Sequence, residues 1–318
     1  MADLFEVKNL KKYFTTGRGV VHAVDDVSFN IEEGKTMGLV GESGCGKSTL
    51  GRVLIHLLES TEGNIIFKGK DITRLSNREL REFREDVQII FQDPSSSLNP
   101  RLTIKETIEE PLQLSKKTNP ADIEKETIHL MDLVGIEKRL RNSYPHELDG
   151  GRRQRVGIAR ALALNPKFVV CDEPVSALDV SIQAQILNLL MDLQNEFGLT
   201  YLFVTHNLSV VRHISNNICV MYLGQMVETC PTDELFANQL HPYSKALLSA
   251  ILSVDIHRKT NRILIKGEIT SPINPKPGCR FAQICLYAGD KCREPQKLEE
   301  VKPGHFVSCC KIREINNL

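Results

Sequence analysis

The chain has 318 residues, and its 40 Lys plus Arg balance 40 Asp plus Glu. That length permits a full-sized core in two domains, or one large domain with an appendage. Its neutrality excludes a general electrostatic attraction to nucleic acid or anionic lipid, so such partners would have to be recognised locally.

The opening, MADLFEVKNLKKYF, has no apolar region of signal-peptide length. No window approaches the ~20 apolar residues that span a bilayer, which predicts a soluble, cytoplasmic chain. The first clear element is a strand over Thr36 to Val40 that runs into GESGCGKST, Gly41 to Thr49. Leu50, Val53, Leu54, Leu57 and Leu58 then form one apolar stripe of a helix starting near Lys47.

The loop between them is a phosphate cradle. Gly41, Gly44 and Gly46 allow a tight bend that aims backbone N–H groups at phosphate oxygens, and the helix start adds its positive dipole end. Lys47 supplies a point charge to the terminal phosphates, and the Ser48 hydroxyl can ligate Mg²⁺. Ser43, Cys45 and Thr49 complete this nucleotide-binding loop. The bland alternative is a glycine-rich turn without a ligand, but GxxGxGKST between strand and helix is a specific match.

From about Pro94 to Ala163 the pattern is helix-rich and predicts a separate lobe. The apolar run Phe168 to Cys171 then predicts a buried strand ending in Asp172-Glu173. A carboxylate at such a tip suits Mg²⁺ held through water, and Glu173, one residue on, can polarise the attacking water. Alone, this acidic pair would read as a helix cap; the phosphate loop upstream gives it a chemical meaning. Ile182, Ile186, Leu187, Leu190 and Leu193 make the next helical stripe, and Tyr201 to Val204 a further strand ending in Thr205-His206. Strand, helix, strand, helix predicts the α/β class, with a largely parallel sheet and ligands at the strands' carboxyl ends.

Past Asp255 the character changes. Pro272, Pro275 and Pro277 lead to a cysteine-rich tail, which divides the chain into 1–255 and 256–318. Five of the nine cysteines fall between Cys279 and Cys310, a clustering that suits a metal site better than a disulfide framework. Cys279, Cys285, Cys292 and Cys309 are spaced C-x5-C-x6-C-x16-C, with Cys310 adjacent. Four thiolates could bind Zn²⁺ or an iron–sulfur cluster, although the short CxxC pairs of a zinc ribbon are missing.

Gly41 to Thr49, Gln92 in FQDP, LDGGRRQR at Leu148 to Arg155, VVCDEP at Val169 to Pro174, SALD at Ser176 to Asp179 and His206 in VTH stand in the order of an ABC-transporter ATPase. Over about the first 255 residues the chain resembles that family. The resemblance implies a P-loop NTPase ABC ATPase fold, a mixed, largely parallel sheet with a helical subdomain at about 94–163. It further implies that Gln92 senses Mg²⁺ and links the site to membrane subunits, and that Asp179 lies at a dimer seam. His206 would hold the γ-phosphate and the attacking water. The adenine-stacking aromatic falls at Phe14 or its neighbour Tyr13, and spacing after Leu10 favours Phe14. Such ATPases work as head-to-tail dimers, with each ATP between one chain's phosphate loop and the other's signature motif, here Leu148, Asp149, Gly150, Gly151 and Arg152.

That signature is usually LSGGQ. Asp149 caps a helix as well as serine does, but a carboxylate about 4 Å from a phosphate charge costs roughly 4 kcal/mol at an effective dielectric near 20. Arg152 offsets part of this. One expectation is therefore a heterodimer with a second, related ABC ATPase and two unequal ATP sites. In the other, Asp149 turns to cap the helix or pair with Arg152, the site stays competent and a homodimer is possible.

The stretch GEITSPINPKPGCRFAQICLYAGDKC, followed by GHFVSCC, resembles the carboxyl-terminal extension of oligopeptide and dipeptide importer ATPases. This implies an ATPase that powers import of di- or oligopeptides, with nickel or oligosaccharide import as the alternative. It would sit peripherally on the cytoplasmic side of the cell membrane, bound to two permease subunits and served indirectly by an extracytoplasmic substrate-binding protein. Relatives imply a [4Fe–4S] cluster on Cys279, Cys285, Cys292 and Cys309, with Zn²⁺ as the alternative, stapling a small, core-poor Cys-rich lobe. A soluble ABC ATPase acting on ribosomes or DNA is the competing class. The tandem cassettes or long coiled coil of such proteins are missing from the sequence, and its neutral charge also disfavours nucleic acid.

Overall fold

A computed structural model describes residues 3–115, 119–250, 263 and 271–318. It divides into two units, the first taking Met1–Glu32, Thr36–Thr73 and Val204–Leu318, the second Glu33–Lys35 and Arg74–Phe203.

The first unit opens on a long antiparallel hairpin, β1 (Asp3–Thr16) and β2 (Gly19–Glu32). Phe5, Val7, Leu10, Val24, Val27 and Ile31 from its two arms are buried. β3 (Thr36–Val40) is buried throughout and leads through the phosphate loop into α1 (Lys47–Leu54). Leu50, Val53 and Leu54 are buried as the stripe requires, but the helix is shorter than the stripe predicts. His56 turns the chain at φ 54°, and Leu57, past the helix end, is 46% exposed. β4 (Glu62–Phe67) pairs with β1 and β5 (Lys70–Asp71) with β4, giving the order β2-β1-β4-β5.

The second unit begins with α2 (Asn77–Asp86), started by a reciprocal capping box between Ser76 and Glu79. After β6 (Val87–Ile90) come α3 (Pro94–Ser97), α4 (Ile104–Ser115), α5 (Ile123–Leu133) and α6 (Gly150–Leu162), the helix-rich stretch of the sequence. β7 (Phe168–Asp172) runs parallel to β6, with Val87 opposite Phe168 and Ile90 opposite Cys171. In α7 (Val180–Phe197), Ile186, Leu187, Leu190 and Leu193 are buried, and Gly198, left-handed at φ 64°, ends the helix. β8 (Thr200–Thr205) completes the order β8-β7-β6. Every residue of β7 and β8 is buried. Such continuous burial without alternation belongs to parallel strands covered on both faces.

The chain re-enters the first unit within β8. α8 (Leu208–Ile214) precedes β9 (Asn217–Tyr222), which runs parallel to β3 with Cys219 opposite Leu39. A turn at Leu223-Gly224 reverses the chain into β10 (Gln225–Pro231), followed by α9 (Thr232–Ala237) and α10 (Pro242–Ser249). The boundary expected near residue 255 lies outside the described residues. From Ser271 the tail carries β11 (Glu299–Lys302), β12 (His305–Val307) and α11 (Ile312–Asn316). β12 pairs antiparallel with β10, Val307 opposite Glu228, so the tail extends this unit's own sheet as β11-β12-β10-β9-β3. Among the described residues no helix is long and apolar enough to cross a membrane.

Candidate functional site

The phosphate loop, in the first unit, is shaped by its glycines. Gly41, Gly44 and Gly46 have φ of 156°, 79° and 107°. A Cβ on Gly41 would lie 2.2 Å from the Met221 carbonyl oxygen, and one on Gly46 would lie 1.9 Å from that of Ala23. Lys47 is 4% exposed, and its ammonium donates to the Gly41 and Glu42 carbonyls at 2.8 Å each. Two of its three hydrogens thus fix the side chain along its own loop, and the ammonium also lies 3.9 Å from Cys45 Sγ, a weak acceptor. The N-cap, Gly46, offers no side-chain hydrogen bond. No N-cap side chain thus competes with an anion for the start of α1. Ser48 and Thr49 follow in its first turn, while Ser43 and Gly44 are exposed. The Glu42 amide donates to the Tyr243 hydroxyl at 3.1 Å and the Gly224 amide to the Cys45 carbonyl at 2.7 Å, so α10 and the β9–β10 turn brace the loop. Burial pushes the Cys45 thiol up, against the opposing pull of Lys47.

His206 also belongs to this unit; it is exposed, just beyond β8 and before α8. Tyr13 and Phe14 lie on β1, opposite His22 and Val21. The Tyr13 hydroxyl donates to Asp25 Oδ1, and its ring stacks on His22 at 4.0 Å between centroids. Burial and the Asp25 bond push its phenol well above the ordinary range. Phe14 is half-buried, with the Lys12 ammonium 5.0 Å from its ring centroid.

The second unit holds Gln92, Asp172, Glu173, the signature stretch and Asp179. Asp172 ends β7 and is 2% exposed. Glu173 is half-buried at φ 48°, a left-handed conformation that costs a non-glycine residue of order 1 kcal/mol or more and recurs at functional sites. Gln92 Nε2 donates to Glu173 Oε2 at 3.0 Å. Asp179, exposed at the N-cap of α7, precedes Val180, which is 82% exposed.

At the signature, Asp149 caps α6 by accepting from the Arg152 amide at 2.7 Å, and its other oxygen lies 3.3 Å from the Arg152 guanidinium. Arg152 also reaches Glu137 at 3.6 Å. Leu148 is buried, and a Cβ on Gly151 would meet Ile182 at 2.8 Å. The carboxylate is thus engaged within its own helix start.

In the tail, Cys292 is buried, Cys279, Cys285 and Cys309 are half-buried, and Cys310 is exposed. Burial pushes the Cys279 thiol up to about 12, and the Cys279 amide donates to the Cys292 carbonyl at 2.8 Å. Cys292 Sγ lies 3.8 Å from Cys310 Sγ, so the fifth cysteine joins the group. Among the described residues no three of these sulfurs lie within 4.8 Å of one another.

Sequence reasoning missed a second buried group. Glu228, Cys230 and His305 bring three ligand-type atoms within 4.8 Å. The Glu228 carboxylate already accepts from His305 Nε2 at 2.7 Å, from the Leu240 amide at 2.7 Å and from the His241 amide at 3.0 Å, which makes it a closed brace between β10 and β12. It also missed Asp25 and Arg280, which share a part-buried ion pair. Strand alternation in QMVETCP could have suggested that Glu228 and Cys230 share a face; nothing local marks Arg280.

The sequence pattern of the ABC transporter family matches residues 24–176, and that of the oligopeptide/dipeptide transporter C-terminal region matches residues 227–292. The oligopeptide transport ATP-binding protein OppF of Bacillus subtilis is 50% identical over 308 residues, 96% of each chain. OppF of Salmonella typhimurium is 48% identical over 318 residues, covering 98% of this chain and 95% of its own. The dipeptide transport ATP-binding protein DppF of Haemophilus influenzae is 46% identical over 316 residues, 97% of each chain. Among solved structures, the ATP-binding cassette MJ0796, in a dimeric post-hydrolysis state bound to ADP and Pi, superposes with a TM-score of 0.66 at 32% identity, over 72% of this chain and 98% of its own.

Proposed function

The chain belongs to the ABC transporter family, among the oligopeptide transport ATP-binding proteins, and from that membership we propose that its ATP hydrolysis powers the import of di- or oligopeptides. The observation that carries this reading is the match along almost the whole length to oligopeptide transport ATP-binding proteins, tail included. Nickel or oligosaccharide cargo would use the same machine.

In this reading the Gly41–Thr49 loop and the α1 N-terminus hold the phosphates, with Lys47 on the terminal oxygens and Ser48, Gln92 and Asp172 around Mg²⁺. Bound Mg²⁺ would neutralise charge that develops on the phosphate oxygens. Glu173 orients and deprotonates the attacking water, and His206 steadies it against the γ-phosphate. Phe14 stacks on adenine, because the Tyr13 ring is already covered by His22 and its hydroxyl is tied to Asp25.

The chain works on the cytoplasmic side of the membrane, against two permease subunits and in a head-to-tail dimer across the Asp179 seam. Its partner is a second, related ATPase, supported by the aspartate where the signature normally offers a hydroxyl. The Asp149–Arg152 pairing favours the alternative, a competent signature in a symmetric dimer. The cysteines hold a [4Fe–4S] cluster. Cys279, Cys285, Cys292 and Cys309 would be its ligands, with Zn²⁺ as the alternative. Its part is structural, stapling the tail.

Reconstitution with the two permeases and the substrate-binding protein in vesicles tests the reading. Uptake of a labelled tripeptide should require ATP and vanish in Glu173→Gln; ATP-independent uptake, or uptake of nickel or oligosaccharide alone, would overturn it.

A further inference from the structure

The residue next to Cys279 points away from the cysteines and into the nucleotide end of the first unit. Arg280 is 7% exposed. Its Nη2 donates to Asp25 Oδ2 and its Nη1 to the Leu223 carbonyl, and both reach His22, at 3.5 Å to the ring Nδ1 and 3.5 Å to the carbonyl. A guanidinium is a rigid fork of donors that cannot shed its charge, so it fixes the relative positions of the acceptors it bridges.

Each acceptor leads on to the nucleotide site. Asp25 Oδ1 accepts the Tyr13 hydroxyl, one residue before Phe14. Leu223 precedes Gly224, whose amide donates to the Cys45 carbonyl of the phosphate loop at 2.7 Å and whose carbonyl accepts from the Asp25 amide at 2.8 Å. A Cβ on Gly224 would lie 2.4 Å from the His22 carbonyl oxygen and 2.8 Å from Arg280 Nη1, so the junction has no slack.

Two further contacts run in parallel. Phe281, 3% exposed, packs on Tyr243 at 5.5 Å, and the Tyr243 hydroxyl accepts the Glu42 amide of the phosphate loop. Ahead of the cysteines, the tail lies along β2 like an added strand. The Asn274 amide donates to the Val20 carbonyl at 2.8 Å, the His22 amide to the Pro272 carbonyl at 3.1 Å, and Ile273 bridges Val21, the cross-strand partner of Phe14.

We propose that Arg280, seconded by Phe281, is a positioning residue for the nucleotide, carrying the placement of the cysteine-bearing tail to both the base-stacking edge and the phosphate loop. This rests on the reading of Gly41–Thr49 and Phe14 as the ATP contacts given above. Arg280 touches no ATP itself. It sets where Phe14 and the loop amides stand, and displacement of about 1 Å at such a site is enough to be felt.

The test is a fluorescent-ATP titration and steady-state ATP hydrolysis on the full-length chain, with thermal melting of each variant. Arg280→Ala should weaken ATP binding about tenfold, the weight of one charge-assisted hydrogen bond, and raise KM alike, while kcat at saturating ATP stays within about twofold. Arg280→Lys, which keeps the charge but loses the fork, should fall between wild type and Arg280→Ala. A merely structural role would lower the melting temperature and the active fraction but leave the Kd of the folded fraction unchanged. Wild-type Kd in folded Arg280→Ala overturns the inference; if that variant does not fold, wild-type Kd in Arg280→Lys and in Phe281→Leu does so. Phe14→Ala separates the two readings: wild-type Kd there removes the stacking assignment, whereas weakened binding there with wild-type binding in the Arg280 variants removes the strut.

Discussion

Gln92 and Glu173, from the loop after β6 and the end of β7, meet at 3.0 Å between Nε2 and Oε2. The amide can only donate through that nitrogen, so it holds one carboxylate oxygen in place. The left-handed φ of 48° at Glu173 sets the direction from the backbone side. A strained residue held by a neighbouring side chain is what a general base needs to keep its orientation between turnovers. Glu173→Gln is therefore expected to cut ATP turnover by about 10²–10³-fold while ATP still binds. Phosphate release and nucleotide titration on the same protein check it; turnover within a few-fold of wild type would remove Glu173 from the role of base.

The phosphate loop separates two kinds of glycine. At Gly46 a Cβ would strike the Ala23 carbonyl oxygen at 1.9 Å, whereas at Gly44 nothing lies within 4 Å and only the φ of 79° opposes a side chain. Gly44→Ala should cost about 1–2 kcal/mol of stability and keep measurable ATP binding. Gly46→Ala must displace β2 or the loop, and should lose ATP binding altogether. Denaturation midpoints and ATP titrations of the two variants decide it: equal behaviour would mean that the Ala23 contact does not shape the loop.

Asp149 caps α6 and pairs with Arg152. Removing the cap in Asp149→Ala should cost about 1 kcal/mol, seen in thermal melts. Asp149→Ser restores a capping oxygen without the charge, so its stability should match wild type. If the carboxylate repels the phosphate bound by the partner chain, hydrolysis in the assembled dimer should rise in Asp149→Ser. An unchanged rate would mean that the local pairing neutralises Asp149 and that the signature is already competent.

What the sequence disclosed was local. The glycine spacing of Gly41–Thr49 and the apolar runs at Thr36–Val40 and Phe168–Asp172 each state their conformation within a few residues, and all three became the loop and strands expected of them. The stripe Leu50 to Leu58 misled only where His56 breaks the helix, since an apolar residue just past a terminus still matches the period. Long-range pairings were invisible. Arg280 with Asp25, and β12 with β10, join segments far apart in sequence, and Glu228 and His305 look like surface residues until strand pairing buries them at 0% and 1% exposure. The signature read differently for another reason: from sequence, Asp149 could cap or repel, and only the helix start shows that both its oxygens are occupied.

Glu228 and His305 weld the tail to β10 through a buried contact of 2.7 Å. Burial alone would raise the Glu228 carboxyl, but the hydrogen bonds from His305 and from the Leu240 and His241 amides outweigh it and hold the group below its ordinary 4.5. Because the folded value lies below the unfolded one, the ionised carboxylate contributes stability above about pH 4.5, and that contribution is lost as the pH falls through the folded value. Replacing one partner leaves the other buried without its counterpart, so Glu228→Gln should cost about 3 kcal/mol at neutral pH. The same substitution should flatten the fall in stability on the acid side, because the group that titrates there is gone. Urea denaturation of wild type and Glu228→Gln from neutral pH down to about pH 2 measures both effects. Parallel pH profiles would show that acid lability arises elsewhere, and a variant as stable as wild type would show that the tail is held to β10 without this pair.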